Sequence, residues 1–150
     1  MGAGFHGGFG GTFGSKAIRL SPTYAGDENN LKTAAKWIKP KGGYTDIVVH
    51  GRPDHVEIKI GDVWTRIDHR ALFRLFKGDK SYSKDPVRLI SCETGKNADG
   101  FAQNLANKLG REVIAPSDTV WIHPNGKMTI GPNAKSNTGK WISYYPKKVR

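Results

Sequence analysis

The chain of 150 residues is long enough for one domain with a real buried core. With 37% hydrophobic and 25% charged residues, and no apolar run near the roughly 20 residues that span a bilayer, it reads as soluble and globular. A net charge of +11 favours nucleic acid, polyphosphate or an anionic surface as readily as it serves solubility, while the lone Cys92 excludes an internal disulfide and a cysteine-based zinc site.

Residues 1–15 are a low-complexity Gly/Phe stretch and read as a flexible linker ahead of a single domain over residues 16–150. Their Gly-x-Gly spacings follow no strand, so they do not mark a dinucleotide site. Nor do they carry the charged start, apolar stretch and cleavage site of a signal peptide. Lys16–Leu20 is a first strand. Asp27–Ile38 is predicted as a helix, with Leu31, Ala34, Ala35 and Ile38 at helical spacing, Asp27 as N-cap, and Pro40 with Gly42-Gly43 as the stop. A run of β-formers, Thr45-Asp46-Ile47-Val48-Val49, then ends on His50-Gly51.

Val56–Ile60 and Val63–Ile67 flank Gly61-Asp62, which predicts a hairpin. Asp68–Phe76 is predicted as a helix capped by Asp68, burying Ala71, Leu72, Leu75 and Phe76. After a polar loop, Val87-Arg88-Leu89-Ile90 forms a strand that ends on Ser91-Cys92. Asp99–Leu109 carries a stripe of Phe101, Ala102, Leu105, Ala106 and Leu109, with Asn97 or Asp99 as its cap and Gly110 as its end. Short strands follow at Val113–Ala115, Thr119–Ile122, Lys127–Ile130 and Trp141–Tyr145, with Pro124-Asn125-Gly126 turning between the second and third. This alternation predicts an α/β fold with a mostly parallel central sheet, helices on both faces and added β-hairpins.

Two of these strands stop on reactive residues. If they lie parallel and adjacent, their C-terminal ends bring the His50 imidazole and the Cys92 thiol to the edge where open α/β sheets bind ligands. A thiol beside an imidazole is a nucleophile beside its base. The bland alternative is a buried core thiol and a hydrogen-bonded structural histidine. Around them, Arg52 could bind a carboxylate or phosphate, and Glu93 a basic group. Ser117 and Asp118 could wall a substrate pocket, although surface charge and turn chemistry account for all four equally well. Asp46 stands too far back along its strand to orient the ring. His55, His69 and His123 show no metal-ligand spacing, so no metal is expected. Trp64, Trp121 and Trp141 read as core or rim aromatics. The basic residues are scattered, and no RNA-recognition, paired zinc-finger or helix-turn-helix signature accompanies them.

Val48-Val49-His50-Gly51-Arg52, then Pro86-Val87-Arg88-Leu89-Ile90-Ser91-Cys92, then Gly100-Phe101-Ala102-Gln103-Asn104-Leu105-Ala106, and finally Val113 to Lys127 with Ser117, Val120 and Gly126, form an ordered set. The set resembles the clan CD cysteine peptidases of caspase-like fold, most closely the self-processing protease domains of large secreted bacterial toxins. It is also similar to the C-terminal effector domains of long bacterial repeat toxins. The resemblance implies a three-layer caspase-like sandwich and a Cys-His hydrolase acting on a protein substrate or on its own parent chain. Cys92 would be the nucleophile and His50 the base, with the N–H groups of Gly51 and Cys92 as oxyanion hole. The chain offers no clear match for the inositol-phosphate-binding flap, so no cofactor is implied, although the basic charge permits an inositol phosphate activator. The setting implied is a secreted or injected effector working in the target-cell cytosol, met by an acidic cognate immunity protein that covers the site. Deamidation or acyl transfer by the same cysteine, attack on nucleic acid or nucleotides, and a binding module that has lost catalysis are the alternatives.

Overall fold

The computed structural model describes residues 16–19, 37–39, 41–60, 63–77, 82 and 84–147. The expected linker over residues 1–15 and residues 27–36 of the predicted helix lie outside these. The fold is mixed α/β with three sheets. The strands are β1 (Lys16–Arg19), β2 (Thr45–Val48), β3 (His50–Gly51), β4 (Val56–Ile60), β5 (Val63–Ile67), β6 (Val87–Ile90), β7 (Val113–Pro116), β8 (Val120–Ile122), β9 (Met128–Ile130) and β10 (Trp141–Tyr144). The helices are α1 (His69–Lys77) and α2 (Phe101–Leu109).

The central sheet runs β1-β2-β6-β7-β10, parallel except for the antiparallel edge strand β10. Strands β3, β4 and β5 form a separate antiparallel sheet, and β8 with β9 a hairpin. Every residue of β2, β6 and β7 is buried, Asp46 and Arg88 included, as in a parallel sheet covered on both faces.

Alternation along the strands sorts the core into two layers. Ile47, Val49, Val87, Leu89, Val113 and Ala115 face α1 and α2, which pack against each other and add Leu72, Phe76, Phe101 and Leu105. Val48, Ile90 and Cys92 face the other way, onto Val120, Ile122 and Ile130 of the β8–β9 hairpin. Ile38, with the helical residue Trp37 beside it, completes that cover. The two described helices therefore share one face of the sheet.

Local chemistry explains the helix ends. The Asp68 carboxylate accepts the Ala71 backbone N–H at 2.9 Å, the expected N-cap. The expected burial is narrower, because Leu72 and Phe76 are buried while Leu75 is 36% exposed. Helix α2 starts later than its stripe suggested. Its N-cap is Gly100 without a side-chain cap, so neither Asn97 nor Asp99 fills that role. Pro53 supplies an oxygen to the Phe101 N–H instead, tying the helix start to the turn after His50. At the far end Gly110 takes φ 74° and closes the helix onto the Ala106 carbonyl.

Candidate active site

Strands β2 and β6 are adjacent and parallel, with Asp46 opposite Arg88 and Val48 opposite Ile90. A further bond runs from the Val49 N–H to the Ile90 carbonyl at 3.3 Å. His50 and Cys92 each stand two residues beyond the last register pair, Val48 and Ile90. Equal offset along adjacent strands carries both to the same sheet edge. They line one cleft of about 250 Å³ together with Gly51, Arg52, Glu57, Glu93 and Thr119.

The chain leaves each strand through a tight, tied-down turn. After His50-Gly51 the Arg52 N–H donates to the His55 carbonyl at 2.9 Å, closing a hairpin over Pro53-Asp54. Proline sets one turn angle in advance, and aspartate is a favoured turn residue. The hairpin pairs β3 with β4 and sets His50 directly opposite Glu57.

After Cys92, Glu93 takes a left-handed φ of 63°. Its N–H donates to the Asp118 carbonyl at 3.1 Å, and the Thr94 hydroxyl donates to the Ser91 carbonyl at 2.8 Å. The Gly95 N–H donates to Pro116, and the Gly95 carbonyl accepts the Tyr144 hydroxyl at 2.7 Å. This turn is thus fixed to β7, to β10 and, through the Thr94 carbonyl and the Ala102 N–H, to α2.

Gly51 is where the two turns meet. A Cβ there would fall 2.1 Å from the Ser91 hydroxyl, 2.6 Å from the Cys92 carbonyl oxygen and 2.8 Å from the Thr94 methyl. Only glycine lets the imidazole-bearing strand close this tightly on the thiol-bearing turn.

Burial sets the charge state. It pushes the His50 imidazole down to about 4, with the Glu57 carboxylate pulling upward and Arg52 adding to the fall. Burial also raises the Cys92 thiol above its ordinary value, opposed by a hydrogen bond from the Val120 backbone. At neutral pH the pair is therefore a neutral imidazole facing a neutral thiol.

The weaker candidates separate. Arg52 and Glu93 reach the cleft and face each other at 3.9 Å, while Lys96 approaches the other Glu93 oxygen at 3.7 Å. Ser117 and Asp118 do not line it. The Ser117 hydroxyl accepts the Lys140 N–H at 3.0 Å, and the Asp118 carboxylate accepts the Thr119 N–H at 2.7 Å. Their neighbour Thr119 lines the wall instead. Asp46 is engaged elsewhere, in a bidentate pair with Arg88 at 2.7 Å to each oxygen. Trp121 donates its indole N–H to the Gly131 carbonyl at 2.8 Å, and Trp141 packs against the layer that holds Cys92. The Trp64 side chain lies outside what is described. Among the described residues no group of three or more His, Cys, Asp or Glu could hold a metal, and no helix is long and apolar enough to cross a membrane.

Glu57 is the residue the sequence reading missed. The signal was present in Pro53-Asp54, which turns the chain so soon after His50 that the next strand must pair with it. The Glu57 carboxylate also accepts from His55 Nε2 at 3.2 Å, while His55 Nδ1 stands 2.6 Å from Asp54.

A family model described as a domain of unknown function (DUF8616) matches residues 18–130, so the chain belongs to that family. The match spans both strand ends, the whole cleft lining and the β8–β9 hairpin, and stops before β10. Comparison with curated proteins and with solved structures found no match.

Proposed function

We propose that this member of DUF8616 is a bacterial toxin effector domain, a cysteine hydrolase that cleaves a protein substrate or its own parent chain. Cys92 is the nucleophile and His50 the base. One observation carries the reading: the register of β2 on β6 delivers both residues to a single cleft with matched offset. The ordered motifs that resemble those of caspase-like toxin proteases add to it, as does a parallel sheet with one antiparallel edge strand.

In this reading the Cys92 sulfur attacks the scissile carbonyl carbon while its proton passes to His50. The proton moves with the attack because burial disfavours an ion pair at rest. The N–H groups of Gly51 and Cys92 receive the developing oxyanion, and each such donor is worth about 3–4 kcal/mol in the barrier. His50 then gives the proton to the departing amine, and water hydrolyses the thioester. Arg52, Glu93 and Thr119 contact the substrate chain on either side. Deamidation and acyl transfer use the same thioester and differ only in what leaves and what enters.

The reducing target-cell cytosol keeps a lone thiol reduced. A surface at +11 calls for an acidic immunity protein, drawn in by charge and seated over the cleft. The same charge favours a second reading, a toxin that attacks nucleic acid, whose binding would weaken steeply with salt.

The test compares wild type, Cys92→Ala and His50→Ala expressed in a bacterial cytosol without inhibitor. Growth, intact-protein mass spectra and the integrity of RNA and DNA are followed together. Hydrolase action predicts that both substitutions relieve toxicity and abolish the same protein modification. A Cys92→Ala chain as toxic as wild type would refute it and turn attention to the basic surface.

A further inference from the structure

We infer that Glu57 is the positioning residue of this site: its carboxylate holds the His50 imidazole in the one tautomer whose other ring nitrogen is unprotonated and can take the Cys92 proton. The inference rests on the hydrolase reading for its purpose, but not for its geometry. Three observations on separate elements converge on it.

Glu57 is the direct cross-strand partner of His50 in the β3–β4 ladder. Side chains so placed have Cβ atoms about 4.5–5.5 Å apart and project from the same face of the sheet. Both side chains also open onto the cleft that holds Cys92. The carboxyl group is itself steadied from behind, at 3.2 Å by His55 Nε2, whose Nδ1 is in turn 2.6 Å from Asp54. Asp54, His55 and Glu57 thus form a chain of contacts whose last member stands opposite His50 in the ladder. Glu57 keeps only 29% of its side chain exposed, and solvent screens its charge less than it would at the open surface.

The other charged and titratable groups around the ring do not compete for this role. Arg52, from the hairpin turn, is a cation and cannot accept an imidazole N–H. Glu93, from the turn after β6, is occupied by Arg52 and Lys96. Asp46 is sealed into its pair with Arg88. Glu57 is the carboxylate that faces His50 from the element packed against it.

The test needs no substrate and uses the full chain with ¹⁵N-labelled histidine. Two-bond ¹H–¹⁵N spectra report the tautomer of each ring, and His50→Gln assigns the His50 signals by their loss. In wild type a single His50 tautomer is expected, with its N–H proton in nuclear Overhauser contact with the Glu57 side chain. In Glu57→Gln the amide can donate as well as accept and no longer selects, so both tautomers should populate. Removing the neighbouring negative charge should also slow alkylation of Cys92 by iodoacetamide at neutral pH by about tenfold, because the imidazolium that forms as the thiol gives up its proton loses its support. Glu57→Asp, with charge retained but set back, should recover part of that rate.

A single unchanged tautomer and an unchanged alkylation rate in Glu57→Gln would overturn the inference. If that variant fails to fold, a wild-type spectrum without the Glu57 contact overturns it equally. Should Cys92→Ala retain activity while the Glu57 contact is present, the hydrolase reading fails and the hydrogen bond stands.

Discussion

Strands β2 and β6 carry one polar pair within their register, and a second stands just beyond their ends; the two pairs behave as opposites. Asp46 and Arg88 are register partners with side chains 1% and 10% exposed, bound at 2.7 Å through both carboxylate oxygens. A third bond, from the Arg88 guanidinium to the Lys39 carbonyl at 2.8 Å, uses up another donor. Four residues further along each strand stand His50 and Cys92, half-buried and buried, neutral, and open to a cleft. Burial raises Asp46, but the adjacent guanidinium pulls its carboxyl back toward ionisation. At Cys92 burial outweighs the hydrogen bond from the Val120 backbone, and the group stays a thiol. Buried polar chemistry thus becomes a lock where opposite charges meet through short, paired hydrogen bonds. It becomes a candidate reactive site where the partners are neutral and one side opens to a cleft.

The largest expected effect breaks the locked pair. Arg88→Met leaves the Asp46 carboxylate buried and unpaired, and should lower unfolding stability by about 3–5 kcal/mol in a urea titration. Replacing both partners, Arg88→Met with Asp46→Leu, should recover most of that loss, since no charge is then stranded. A double variant as unstable as the single one would show that the pair does more than neutralise itself.

Gly51→Ala tests the closeness of the open pair. The added methyl meets the Ser91 hydroxyl and the Cys92 carbonyl, and overpacking of this kind costs about 1–3 kcal/mol. Ser91→Ala in the same chain should return only part, because the backbone oxygen remains in the way. Full recovery would mean that the hydroxyl alone sets the approach.

The third expectation is a pH dependence. His50 is held below its unfolded value, down to about 4, so its contribution is present above pH 6.5 and lost as pH falls toward 4. After discounting for solvent screening, the loss across that window is on the order of 1–2 kcal/mol. His69 is lowered in the same direction by its own burial, so the measurement is the difference between wild type and His50→Gln. A His50→Gln chain with an undiminished slope would place the titrating group elsewhere.

The smallest effect belongs to Ser91. Its hydroxyl is fully buried and has no hydrogen-bond partner among the described residues. Ser91→Ala should therefore be neutral or stabilising by up to about 1 kcal/mol, read from the thermal midpoint. A clear loss would reveal a buried partner for that oxygen.

Most of the strand framework was legible in the chain. The apolar runs before His50 and Cys92, the paired strands β4 and β5, and the Pro124-Asn125-Gly126 turn all lie where patterning placed them, within a residue or so. These signals are local, arising from β-branched runs and turn-forming residues. The misses are those of residues whose role depends on distant neighbours. Asn97 and Asp99 look like helix caps, yet the α2 start is tied to Pro53, from a different part of the chain. Ser117 and Asp118 resemble pocket walls, but they spend their side chains on Lys140 and Thr119. Leu75 falls on the apolar stripe of α1 and still reaches solvent, because the partner helix covers only part of that stripe.

The sequence by itself determined that two buried strands end on an imidazole and a thiol, since hydrophobic runs and the glycines that stop them are properties of neighbouring residues. Only the tertiary structure decided that these strands are adjacent, that they share a register, and that Glu57 stands opposite His50. Register is a relation between segments far apart in the chain. Shifting it by one residue would turn a reactive side chain to the other face of the sheet, and no local pattern records which alignment is taken.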